Sequence, residues 1–154
     1  MEKSKRIISH RGNLTGPNSV LENSQGAIEK ALSLGFDVEI DLLKAGRFFF
    51  SGHGGPEYLI DKEFLETTGL WIHCKDIETL DYMIITGFVN FFFHEKDSCT
   101  LTSSHYIWTS PNIKNVLYRN SIAVLPELEP KWNLTDAFGI CTDFPIDYSK
   151  IYKK

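Results

Sequence analysis

Phe36-Asp37-Val38-Glu39-Ile40-Asp41-Leu42-Leu43 decides how this chain is read. The stretch alternates and is rich in β-formers, so it reads as a strand. Glu39 and Asp41 are two residues apart, which puts both side chains on one face. Strands of a parallel α/β sheet are buried on both faces and read as apolar runs. Two acids in so apolar a stretch therefore need a partner, because burying unpaired charge is very costly. Two convergent carboxylates suit a hard divalent cation such as Mg²⁺ or Ca²⁺. The plainer reading is a solvated strand edge.

Working outward, Arg6 to His10 is a short buried strand ended by Gly12. Pro17-Asn18-Ser19 opens a helix in which Val20, Ala27, Ile28, Ala31 and Leu32 recur at helical spacing, closed by Gly35. Further strands are expected at 48–50, 70–74, 88–93, 106–109, 122–125 and 139–141. A second helix runs from Ile77 to Thr86 and is closed by Gly87. Segments 112–118 and 134–138 are long enough for one or two helical turns. This order of elements predicts a parallel α/β sheet.

The chain has 154 residues, 42% hydrophobic and 23% charged, with 11 Phe. That predicts one domain, residues 1–154, with a substantial core, and excludes a disordered tail or a fibre. The net charge of -4, with scattered Lys and Arg, argues against a nucleic-acid footprint. Three cysteines (Cys74, Cys99 and Cys141) without a C-x-x-C pair argue against a disulfide framework and a Cys-based zinc site. The start MEKSKRIIS lacks a signal-peptide core, and no apolar run approaches a membrane span. The expected setting is cytoplasmic.

Ionisable residues gather at the C-terminal ends of the expected strands: His10, Glu39 and Asp41, His53, His73 and Lys75, His94, and Asp143. Ligands of parallel α/β sheets and barrels bind there. His10-Arg11-Gly12 pairs a titratable imidazole with a fork-shaped phosphate donor. His73 and Lys75 share one face, with Cys74 turned away. His53 sits among glycines in SGHGGP, which suits a ligand or any loop. His94 belongs to a site extension or to a charged turn, and Trp108 to a ligand wall or to the core.

The ordered set His10-Arg11-Gly12, Glu22-Asn23-Ser24, Val38-Glu39-Ile40-Asp41 and His53 resembles the glycerophosphodiester phosphodiesterase family, within the superfamily of phospholipase C-like phosphodiesterases. Gly35-Phe36-Asp37-Val38-Glu39-Ile40-Asp41 is similar to the family's G-x-D-x-x-E-x-D. Trp108-Thr109 resembles a late W-T, and residues 139–145 resemble a closing G-x-x-T-D-x-P. The match spans the first third of the chain and its last strand.

The resemblance implies a TIM-type barrel. Given the short chain, that is a minimal (β/α)8-like barrel with several outer helices shortened or missing. It implies metal-assisted cleavage of a small phosphodiester. His10 and His53 would be the acid/base pair, Arg11 and Lys75 would hold the phosphate, and Glu39 and Asp41 would bind the metal. The family carries E-x-K on the fourth strand, where this chain has His73-Cys74-Lys75. His73 as third ligand would tilt the site towards Mn²⁺ or Zn²⁺. Beyond the resemblance, His94 and Trp108 are candidate substrate-binding residues, and the stretch from His94 to Asp97, which the family's pattern lacks, is a source of a replacement ligand or of a different specificity. Two other functions stay open: a phosphodiester lyase on the same fold, and a non-catalytic barrel that binds a phosphorylated ligand or a partner protein. Aromatic strands near 48–50 and 91–93, left uncovered by missing helices, predict a homo-oligomer.

Overall fold

The stretch around Glu39 and Asp41 is the core of the longest strand among the described residues, β2 (Asp37–Ala45). The computed structural model describes residues 4–112, 114 and 116–152. One edge of β2 pairs in parallel with β5 (Leu70–Cys74). The other edge pairs in parallel with β1 (Arg6–His10), then antiparallel with β3 (Phe48–Ser51). Beyond β1 come β10 (Gly139–Thr142), β9 (Ser121–Val124) and β8 (Ile107–Thr109), all parallel. β6 (Phe91–Phe93) adds in parallel to β5. Antiparallel partners finish two edges: β4 (Tyr58–Ile60) on β3, and β7 (Cys99–Leu101) on β8. The helices are α1 (Gln25–Ser33), α2 (Ile77–Thr86) and α3 (Pro145–Tyr152).

This corrects the expected (β/α)8-like TIM barrel. Among the described residues, ten strands form one mixed sheet, curled as a half-barrel, with three short helices. The reason is local. Only Gly46 and Arg47 separate β2 from β3, and so short a link permits only an antiparallel turn. Among the described residues, the links from β8 to β9 and from β9 to β10 hold turns and a short 3-10 segment (Pro126–Leu128) where a barrel has helices.

The eight expected strands are present, and β4 and β7 are additional to them. The first helix starts later than expected, at Gln25, capped by the Ser24 hydroxyl, which accepts from the Ala27 N–H. Upstream, the Asn18 side chain accepts from the N–H groups of Val20 and Leu21 and holds that segment in a turn. Segment 134–138 forms turns, and residues 113 and 115 of 112–118 lie outside the described residues. α2 ends as expected on Gly87, whose φ of 71° favours glycine.

Alternation along the strands separates two faces. Outward on β2 and β5 lie Val38, Ile40, Leu42, Leu70, Ile72 and Cys74, which pack with Ile28 and Ala31 of α1 and Met83 of α2. Inside the curl, Ile8, Trp71, Phe92, Trp108, Ile122 and Cys141 form an apolar floor. Of the aromatic strands, Phe49, Phe91 and Phe92 are buried within the chain, while Phe48 is 47% exposed. No helix among the described residues is long and apolar enough to cross a membrane.

The two core thiols are inert for a physical reason. Burial, with the Asp76 charge, pushes Cys74 up to about 12, and burial pushes Cys141 well above its ordinary range. Cys99 is exposed. Iodoacetamide at pH 8 is expected to alkylate Cys99 alone in the native protein, and all three thiols in denaturant, as read by mass spectrometry. Rapid native labelling of Cys74 or Cys141 would contradict this packing.

Candidate metal and active centre

Register brings the polar residues together. His10 pairs with Glu39 across β1 and β2, and Asp41 pairs with His73 across β2 and β5. His10 lies two residues along β1 from Ile8 and His73 two along β5 from Trp71, and the register puts Glu39 and Asp41 on that same inner face, apolar below on the neighbouring strands and polar at the C-terminal rim. Glu39, Asp41, His10, His73 and Asp143 are all buried.

Asp41 is the hub. Its Oδ2 accepts from the Asn23 amide at 3.1 Å, while its own N–H donates to Asn23 Oδ1 at 2.9 Å. Arg11 Nε lies 3.0 Å and His53 Nδ1 3.4 Å from Oδ2. His73 Nδ1 lies 3.0 Å and Lys75 Nζ 3.3 Å from Oδ1. Burial would raise the Asp41 pKa, but the His73 contact and the charges of Arg11 and Lys75 hold it well below the usual range. Glu39 is pushed the other way, by burial and by the Asp41 charge.

Glu39, Asp41 and His73 offer ligand atoms that lie within 4.8 Å of one another. The donor set fits a divalent cation on three counts. Glu39 Oε2 and Asp41 Oδ1 are buried without an aligned hydrogen bond. His73 Nε2 lies 3.4 Å from the His94 carbonyl, which only accepts, so His73 Nδ1 is the nitrogen turned to the acids. Four carboxylates (Glu22, Glu39, Asp41 and Asp143) face one guanidinium, one ammonium and the His10 imidazole. At His73 Nδ1 a proton and a metal compete for one lone pair.

His10 is held by a residue 133 positions away. Its Nδ1–H donates to Asp143 Oδ1 at 2.7 Å, and its Nε2 lies 3.9 Å from Glu39 Oε2. Burial lowers the His10 pKa, but the Asp143 hydrogen bond and the Glu39 charge outweigh it, and the net shift is upward. Asp143 is lowered: burial opposes this, and the His10 hydrogen bond and charge, the Asn13 hydrogen bond and the Arg11 charge together outweigh it. Asn13 donates to Asp143 Oδ1 at 2.9 Å and to Glu22 Oε1 at 3.0 Å. Glu127 accepts from the Asp143 N–H at 3.0 Å and from the Thr142 hydroxyl.

Arg11 takes a left-handed backbone (φ 56°), bonds Glu22 at 3.2 Å, and reaches His53 Nδ1 with NH2 at 2.7 Å. A guanidinium only donates, so His53 Nδ1 accepts. That contact is shorter than the 3.4 Å to Asp41 and fixes the proton of a neutral His53 on Nε2. His53 is presented by a loop that needs Gly52: a Cβ there would sit 2.1 Å from the Gly55 carbonyl. His94 stacks on His73 at 4.6 Å and an interplanar angle of 3°, with its Nδ1 buried and unpartnered. Parallel stacked rings cannot aim lone pairs at one ion, which leaves His94 outside the ligand set. Trp108 lies deeper, in the floor, stacked on Phe92 at 4.4 Å.

The structure thus brings His10, Arg11, Glu39, Asp41, His53, His73 and Lys75 to one rim. The sequence reading gave no role to Asp143, Asn13, Asn23, Glu22 or Glu127. Signals existed for three of them, in Glu22-Asn23-Ser24 and Thr142-Asp143. Comparison with protein-family models, curated proteins and solved structures gave no match. The family resemblance therefore rests on the quoted residues alone.

The His10–Asp143 pair has a defined pH window. The raised His10 pKa stabilises the fold fully below its ordinary value of 6.5, and this is lost as pH rises through the folded pKa. The lowered Asp143 pKa stabilises above 3.8 and is lost as pH falls through the folded pKa. The pair is at full strength between those values. Asp143→Asn is expected to lower the His10 pKa, read from the imidazole proton shifts, and to cost stability mainly in that window. An unchanged His10 titration would refute the pairing.

Proposed function

We propose that this chain cleaves a small phosphodiester, using a divalent cation held by Glu39, Asp41 and His73. The supporting observation is the convergence of that donor set, the Asp143-held His10 and the Arg11–His53 pair on one rim. When bound, the cation supplies Lewis-acid polarisation of a phosphoryl oxygen. The mixed O/O/N donor set accepts Mg²⁺ or Ca²⁺ and favours Mn²⁺ or Zn²⁺.

His10 in its protonated form is the general acid: Asp143 anchors Nδ1–H, and Nε2–H protonates the leaving alkoxide. Arg11 and Lys75 grip the phosphate oxygens. In gripping phosphate Arg11 leaves His53 Nδ1, whose lone pair then takes the proton of an attacking hydroxyl. Where that hydroxyl neighbours the phosphate on the substrate, the product is a cyclic phosphate, which water opens in a hydrolase and which accumulates in a lyase. His94, beside the cluster with an unpartnered Nδ1, lines the substrate side.

The test pairs a glycerophosphodiester, which has a free hydroxyl beside phosphorus, with an aryl phosphodiester that has none. Turnover is expected with Mn²⁺, Mg²⁺ or Ca²⁺ on the glycerophosphodiester. His10→Ala and His53→Ala should each lower kcat by about 10²–10⁴-fold. No turnover with any of these metals, or turnover untouched by both substitutions, would overturn the reading. ³¹P NMR of the products separates hydrolase from lyase.

Metal binding is tested on its own by calorimetry with Mn²⁺. Glu39→Gln and His73→Ala should abolish the heat. Affinity should fall as the pH is lowered, because a proton on Glu39 competes with the ion. Saturation at 100 Kd should stabilise the fold by about 2.7 kcal/mol. No heat in the parent protein would remove the metal from the mechanism.

A further inference from the structure

The same inner face of β2 that carries Glu39 and Asp41 carries a third acid, Asp37, at the opposite end of the curl. The proposed chemistry does not use it. Asp37 lines a cavity of about 550 Å³ at the N-terminal ends of β1, β2, β5 and β6. That size lies within the range of small-molecule sites, about 300–1,000 Å³.

Its lining has a definite chemistry. The ionisable groups are Arg6, Asp37 and Glu66, a net negative charge. Aromatic rings form one wall: Trp71 and Tyr106 lie 5.6 Å apart, and Phe138 stacks on Tyr106 at 4.2 Å. Asp37 is preorganised, because its Oδ2 accepts from Trp71 Nε1–H at 2.9 Å. Its other oxygen holds Arg6 only loosely, at 3.5 Å, and the Arg6 side chain is 54% exposed. An ion pair of that length and exposure is weak and easily exchanged.

We propose that this cavity is a second binding site, which takes an aromatic cation. The flat apolar body lies on the Trp71–Tyr106–Phe138 wall, and the cationic head replaces Arg6 on Asp37. A planar amidinium suits a carboxylate oxygen with one neighbour already fixed, and aromatic faces attract cations. This site is independent of the phosphodiesterase reading, since none of its residues belongs to the metal cluster.

The experiment uses the full chain labelled with ¹⁵N and titrated with benzamidine. Benzoate, of the same shape and opposite charge, is the control. The readout is the Trp71 indole N–H resonance, assigned with Trp71→Phe. Expected are a saturable shift with benzamidine and none with benzoate. Arg6→Ala should tighten binding, because it removes the competing cation. Asp37→Asn keeps an acceptor for Trp71 but loses the charge, and should weaken binding about tenfold or more.

No benzamidine shift at millimolar concentration, an equal response to benzoate, unchanged binding in Asp37→Asn, or weaker or equal binding in Arg6→Ala would each overturn the proposal. Should Asp37→Asn lose the dispersed spectrum of a folded protein, Arg6→Ala and the benzoate control decide alone.

Discussion

The Asp41 carboxylate is the constraint around which the rim of this molecule is arranged. It is 1% exposed, and a buried carboxylate without partners would cost several kcal/mol. Asn23 reaches it from the loop after β1, Arg11 from the end of β1, His53 from the loop after β3, and His73 and Lys75 from the end of β5. Segments distant in sequence are thereby tied to one atom pair. Asn23 goes further: its left-handed backbone is buried, its N–H donates to the Arg11 carbonyl, and its carbonyl accepts from the Ser51 hydroxyl. The groups that would do chemistry are thus the groups that hold the loops in place.

The apolar floor beneath this rim serves the same end. Ile8, Trp71, Phe92 and Trp108 exclude water from one side of Glu39, Asp41 and His10. Low polarity strengthens every charge interaction above it. It also explains why neighbouring acids part company, with Glu39 raised and Asp41 lowered. Asp41 collected the cations and Glu39 was left with the burial.

Much of this was legible in the sequence because it follows from a period of two. Glu39 with Asp41, and His73 with Lys75, share a face by spacing alone, and the strand ends were marked by Gly12, Gly35 and the SGHGGP loop. The direction of β3 was also legible in principle, since the two residues between Ala45 and Phe48 leave no room for a parallel crossover. The barrel expectation overrode that signal. Other features leave no local trace. The His10–Asp143 bond spans 133 positions, and β4 and β7 are three-residue strands stabilised only by their partners. Asn18 and its turn replace the first helical turns because a side chain offered the backbone N–H groups a competing acceptor.

The hairpin of β3 and β4 has a mechanical consequence. Its ladder to the rest of the sheet covers the last four residues of β2, at an edge, with one further bond from the Gly52 N–H to the Asp41 carbonyl, while β1 sits between two parallel neighbours. The two candidate proton-transfer residues therefore stand on unequal supports: His10 on the cooperative centre of the sheet, His53 on a flap beyond a peripheral ladder. Local opening that frees the flap leaves the parallel ladders, and the Glu39–Asp41–His73 donor set within them, intact. Proton transfer at His53 can thus be lost or retuned by changes in the flap alone, a separation that a closed barrel with both residues on central strands would not permit.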